Sequence, residues 1–173
     1  TYLINWSEKA RQHYSKDKVA RLLNPKYWYK KGITWSRITS NENIGFRYLP
    51  ETATFETAGT SVFQLQEENS IYAMLSLLSS KIGKNILTIL NPTLVLQVGD
   101  VGNFPVIELP HIICVNGKKL VMISEFDWDS YETSWNYTTS TILLNRNSEL
   151  RKNYNALRQK WHSSTLVMQQ LEE

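Results

Sequence analysis

Apolar side chains recur at helical spacing in two stretches of the chain and fall in short runs between turn residues elsewhere. In residues 70–84, Ile71, Met74, Leu75, Leu78 and Ile82 follow the i, i+3, i+4, i+7 rule. They predict an amphipathic helix, capped by Asn69 or Ser70 and ending near Gly83. From Ser148 onward, Leu150, Tyr154, Leu157, Trp161, Ser164, Met168 and Leu171 step by 4, 3, 4, 3, 4, 3. That is a heptad seam with one polar position, and it predicts a long helix packed on a partner helix or on the rest of a larger protein. A third helix is expected over residues 7–23, with Ser7 as its cap and a surface of Lys, Arg and Gln. Asn24-Pro25 should stop it, because proline disfavours helix at the residue before.

The remaining apolar runs read as strands. Residues 33–38, 44–48, 53–55 and 59–63 are short segments punctuated by Ser40-Asn41, Asn43, Gly45 and Pro50. In the first of them Trp35 is expected in the core, which turns Thr34 and Ser36 to the opposite face. A second apolar stretch at 86–90 runs into Asn91-Pro92, which stops it. Residues 94–98, 106–109 and 112–122 are further strand candidates, the last broken by Asn116-Gly117, a strong hairpin signal. The pattern implies one α/β domain, more closely α+β, with a mixed β-sheet, packed helices and a long C-terminal helix.

Composition fits an ordinary folded domain: of 173 residues, 42% are apolar and 20% charged, so the chain can bury a core. No apolar run approaches the roughly 20 residues that span a bilayer, so no membrane partner is expected. Cys114 is the only cysteine and lies in an apolar run; it asks for no oxidising compartment, and a cytoplasmic location is expected. His13, His111 and His162 are scattered, with no metal-ligand spacing. The chain opens on Thr1 and stops inside a helical pattern, so an excised piece of a longer protein is expected.

Charge changes the picture more. Residues 1–50 hold ten Lys or Arg against three acids, a net of +7; the rest carries nine against thirteen, a net of −4. Such asymmetry points to a half that faces a polyanion, although a solvated basic surface would look the same.

Catalytic motifs are not evident. Asn24-Pro25-Lys26-Tyr27 comes nearest to the tetrapeptide with which amino-methyltransferases hold a flipped base, but Lys26 stands where a second proline belongs, and no strand precedes it. Gly99-x-x-Gly102 is followed by Phe104-Pro105 and another apolar segment, not by the helix a phosphate loop needs, so a tight turn is expected. Asp127, Asp129 and Glu132 are close in sequence, as metal-binding carboxylates are, but read better as caps or surface groups.

The order of several short motifs is more specific. It begins with Gly32-Ile33-Thr34-Trp35-Ser36-Arg37-Ile38, Phe46-Arg47-Tyr48, Phe55 and Gly59-Thr60-Ser61-Val62-Phe63. It continues through Leu77-Leu78-Ser79-Ser80-Lys81, Asn91-Pro92-Thr93 and the run from Gln97-Val98-Gly99-Asp100 to Phe104-Pro105-Val106. It closes with Asp127-Trp128-Asp129-Ser130-Tyr131-Glu132-Thr133-Ser134-Trp135. Over about residues 24 to 137 this order resembles the recognition region of the phage-exclusion (BREX-type) adenine-specific DNA methyltransferases and their type IIG restriction-modification relatives.

The resemblance implies a DNA target-recognition domain over residues 1–137 and a C-terminal helical segment over 138–173. It implies double-stranded DNA as partner, together with a catalytic methyltransferase domain of the same protein. S-adenosylmethionine would bind that domain, and no cofactor is expected in this chain. Lys30, Lys31 and Arg47 are then candidate phosphate contacts, and Arg37, Ser40, Asn41 and Asn43 candidate base readers, since Arg pairs well with guanine and Asn with adenine. The run from Asp127 to Trp135 is acidic, so it suits DNA poorly; its tryptophans point to burial against the following helix or the catalytic domain. The competing reading is a protein-interaction module that works through the heptad helix. A complete small enzyme would need a pocket with convergent polar groups.

Overall fold

The computed structural model describes residues 4–20, 22–38, 44–63, 70–144 and 149–173. They form seven helices and a three-stranded sheet, the α+β composition expected. The chain gathers into two compact units, one of residues 1–71 and 77–106, the other of residues 72–76 and 107–173. The division at residue 137 read from the sequence falls inside the second unit.

In the first unit, β1 (Gly32–Ser36) is the central strand, with β2 (Arg47–Leu49) and β3 (Gly59–Phe63) antiparallel on either side. Alternation sets its faces. Ile33 and Trp35 are buried to 2% and 1% exposure, while Thr34 and Ser36 turn the other way. Trp35 anchors the core: its indole N–H donates to the Leu96 carbonyl at 3.2 Å, and its ring lies 5.7 Å from Phe46. Burying each such side chain contributes roughly 2 kcal/mol or more. Of the expected strands, residues 53–55 have no regular structure, and residues 94–98 supply only a bridge between Val95 and Ile38. Gly99 and Gly102 lie not in a tight turn but in α4 (Val98–Gly102), a single helical turn.

The basic helix α1 (Glu8–Lys16) starts where expected, with Ser7 Oγ accepting from the Ala10 N–H, but stops well before Asn24-Pro25. Asp17 ends it. Its carboxylate accepts from the backbone N–H groups of Val19 at 2.7 Å and Ala20 at 3.3 Å, which turns the chain away. Those two bonds hold its pKa below the ordinary aspartate value.

The helix expected over 70–84 is two: α2 (Ser70–Ser79) and α3 (Lys81–Leu90). Ser80 separates them, its hydroxyl accepting from the Gly83 N–H at 2.9 Å and donating to the Leu77 carbonyl at 2.7 Å. Ile71, Leu75 and Leu78 are buried as the spacing required, but Ile82, past the break, is exposed.

The largest correction concerns residues 106–122. They are not two strands with a hairpin; 106–110 lack regular structure, and the rest begins α5 (His111–Asp129). Gly117 is buried inside that helix. A Cβ there would sit 2.5 Å from Ser76 Oγ and 2.8 Å from the Tyr72 carbonyl, so the glycine permits close helix approach and forms no turn. In the second unit α5 packs on α7 (Leu150–Glu172), which also packs on the short α6 (Thr141–Leu144). Among the described residues no helix is long and apolar enough to cross a membrane.

Candidate nucleic-acid interface

Four of the seven residues singled out from the sequence lie along the sheet. Lys30 is exposed and Lys31 half-buried where the chain enters β1. Arg37 leaves β1 at its other end, exposed, with its N–H donating to the Ala58 carbonyl and its carbonyl accepting from Leu96. The backbone is thus fastened on both sides while the guanidinium faces solvent. Arg47 opens β2 directly opposite Thr34, which itself pairs with Ser61 on β3. Residues opposite one another across a ladder share a face, so Arg47, Thr34 and Ser61 form a polar row. Ser40, Asn41 and Asn43 lie outside the described residues.

The strand therefore spreads these cations and does not cluster them. Lys31 and Arg37 stand about 20 Å apart along an extended strip of chain, and Arg47 lies opposite its middle on the Thr34 face. Arg37 and Arg47 have no ion pair among the described residues. Cations spread along a strip can neutralise successive charges of a linear polyanion.

Basic and aromatic side chains that the sequence reading passed over extend the strip at the Lys30 end. Pro25–Tyr27 form a 3₁₀ turn after Asn24, whose side chain accepts from the Lys26 N–H. Lys26 Nζ sits 4.7 Å from the centroid of the Tyr27 ring, and Tyr27 stacks on Phe63 of β3. Tyr29 holds a left-handed φ of 55°, uncommon without glycine. Trp28 packs on Trp6, and Arg11 of α1 lies against both rings. Only the surplus of Lys and Arg in residues 1–50 hinted at this; which of them meet is a tertiary matter.

The remaining candidates resolve differently. Trp128 and Trp135, expected against the following helix or the catalytic domain, are 58% and 81% exposed in this chain by itself. Asp129 closes a local turn, accepting from Ser134 Oγ at 2.6 Å and from the Asn136 amide at 3.4 Å. Asp127, Trp128 and Tyr131 line an apolar groove of about 440 Å³ together with Leu157, Trp161 and Met168 of α7. The α4 segment does not fit S-adenosylmethionine. Its two glycines face open space and cradle nothing, and its Asp100 carboxylate is taken up by the Gln97 N–H and the Asn91 amide. No group of three or more His, Cys, Asp or Glu that could hold a metal occurs among the described residues.

No family model matches the chain. Two curated proteins are similar to it. The adenine-specific methyltransferase BrxX of Escherichia coli O9:H4 (strain HS) is 33% identical over 143 residues, 82% of this chain. The adenine-specific methyltransferase PglX of Lacticaseibacillus casei (strain Zhang) is 31% identical over 152 residues, 83% of this chain. The chain spans only 12% of the length of each relative. Over most of its own length, therefore, this chain is similar to a part of two adenine-specific methyltransferases.

Proposed function

We propose that this chain is the DNA target-recognition domain of an adenine-N6-specific DNA methyltransferase of a restriction-modification or phage-defence system. The catalytic and S-adenosylmethionine-binding domain belongs to another part of the parent protein. The observation that carries the reading is the homology to 12% of two adenine-specific methyltransferases, joined to the cationic strip along β1. In this reading Lys30, Lys31 and Arg47 contact phosphates and fix the register on the duplex. Arg37, with Ser40, Asn41 and Asn43, reads base edges in the major groove.

Fluorescence anisotropy with a labelled random-sequence duplex tests it. Three phosphate contacts imply a loss of about twentyfold in affinity for each threefold rise in salt. Changing Lys30, Lys31 and Arg47 together to Glu should abolish binding at moderate salt while leaving circular dichroism intact. Undiminished binding by that triple variant would sink the placement of the interface.

A second reading is favoured by the groove between the end of α5 and α7: a protein-interaction module, whether for a second copy or for the rest of the parent protein. It expects self-association in sedimentation velocity that disappears in Leu157→Glu, Trp161→Glu, with no DNA affinity. A monomer at all concentrations removes the self-association version.

A further inference from the structure

We infer that Arg11 holds a backbone phosphate of the bound DNA, seated on Trp6 and Trp28 as an extension of the strip that starts at Lys30. The inference rests on the DNA-recognition reading and adds α1 to its contact surface.

Its guanidinium carbon lies 6.0 Å from the Trp6 ring centroid and 5.8 Å from that of Trp28, and the two indoles are 5.1 Å apart at 58°. A guanidinium seated on aromatic faces keeps its fork of N–H donors in one plane and restrained before a ligand arrives. The residue is half-buried, yet no carboxylate among the described residues pairs with it. Both acids near it are engaged: Glu8 accepts from the Gln12 amide, and Asp17 from two backbone N–H groups. The Trp6 indole N–H is buried without an acceptor among the described residues. Among the described residues the cluster is thus richer in donors than in acceptors for them. A partly desolvated, unpaired cation gains most from an anion.

Position decides which anion. Trp28 lies two residues before Lys30, and Lys26 and Lys31 are in the same short segment. A single protein carboxylate would satisfy the Arg11 fork but not reach the exposed Lys26 and Lys30 as well. Regularly spaced phosphates match all of them, and the planar fork suits bidentate contact with one.

The test uses the full chain and the same labelled duplex over a salt series. Arg11→Gln should lower the slope of log affinity against log salt by about one, the value of one lost phosphate contact. Arg11→Lys keeps the charge and loses the fork; it should keep the slope and bind several-fold more weakly. Melting temperatures of both variants separate this from a packing role. If both lower the melting temperature and neither changes slope or affinity, Arg11 only anchors α1 and the inference falls. If the unaltered chain shows no salt-sensitive binding, the recognition reading itself falls.

Discussion

Trp35→Ala should cost the first unit about 4 kcal/mol, a large share of the stability of a small domain. Trp35 is one of the largest side chains in that core and is 1% exposed. Truncation opens a cavity beside Ile33 and Phe46 and removes the donor that the Leu96 carbonyl accepts. That bond matters beyond its own energy. Leu96 also donates its N–H to the Arg37 carbonyl, so the segment before α4 is tied to the end of β1 from both sides. Trp35→Phe separates the two parts: it keeps most of the volume but orphans the carbonyl, and should cost about 1–2 kcal/mol. Urea unfolding followed by far-ultraviolet circular dichroism and amide exchange of β1 would measure both. A loss below 1 kcal/mol for the alanine variant would mean that the sheet is held some other way.

Gly83→Ala should destabilise by about 2 kcal/mol, although helix propensity alone favours alanine by about 1 kcal/mol. An added Cβ would collide with the Leu77 carbonyl oxygen, with the Leu77 carbonyl carbon at 3.0 Å and the Leu78 Cα at 3.1 Å. All three are backbone atoms and cannot swing aside as a side-chain end could. The displaced carbonyl also accepts from the Ser80 hydroxyl, which in turn caps α3 through the Gly83 N–H. The methyl group therefore loosens the junction of α2 and α3 as well as clashing with it. Melting curves of Gly83→Ala and of the double variant with Ser80→Ala check the coupling: the second change should cost less once the first is made. A more stable Gly83→Ala would show that the junction can relax freely.

Gly83 illustrates where local pattern stops being informative. Its sequence neighbours are those of a helix end, and a single helix over 70–84 satisfies the apolar spacing. The side chain of Ser80 instead competes with the backbone, caps a new helix, and leaves Ile82 exposed. Residues 112–122 erred for a related reason. A nearly continuous apolar run fits a buried strand or a buried helix equally well, and Asn-Gly tips a local reading toward a hairpin. What decides the matter is the approach of Tyr72 and Ser76 to Gly117, which no window of neighbouring residues contains.

The candidate interface divides along the same line. The surplus of Lys and Arg in residues 1–50 and the alternating faces of β1 were legible, because composition and strand alternation are local; the register that sets Arg47 opposite Thr34 was not. The seat of Arg11 against Trp6 and Trp28 was not, since nothing in the spacing of residues 6, 11 and 28 brings them together. The run from Asp127 to Trp135 was legible only in part: Trp128 lines a groove with α7, the following helix, while Trp135 is exposed beside the turn that Asp129 closes.

By itself, then, the sequence determined the α+β composition, the alternating faces of β1, the cap and start of α1, the long α7 and the one-sided charge. These follow from periodicity, capping chemistry and composition, all of them short-range. Only the tertiary structure decided that α5 is a helix, that α2 and α3 are separate, and which cations lie against which aromatic rings. Those outcomes depend on contacts between residues tens of positions apart, where packing overrides local preference.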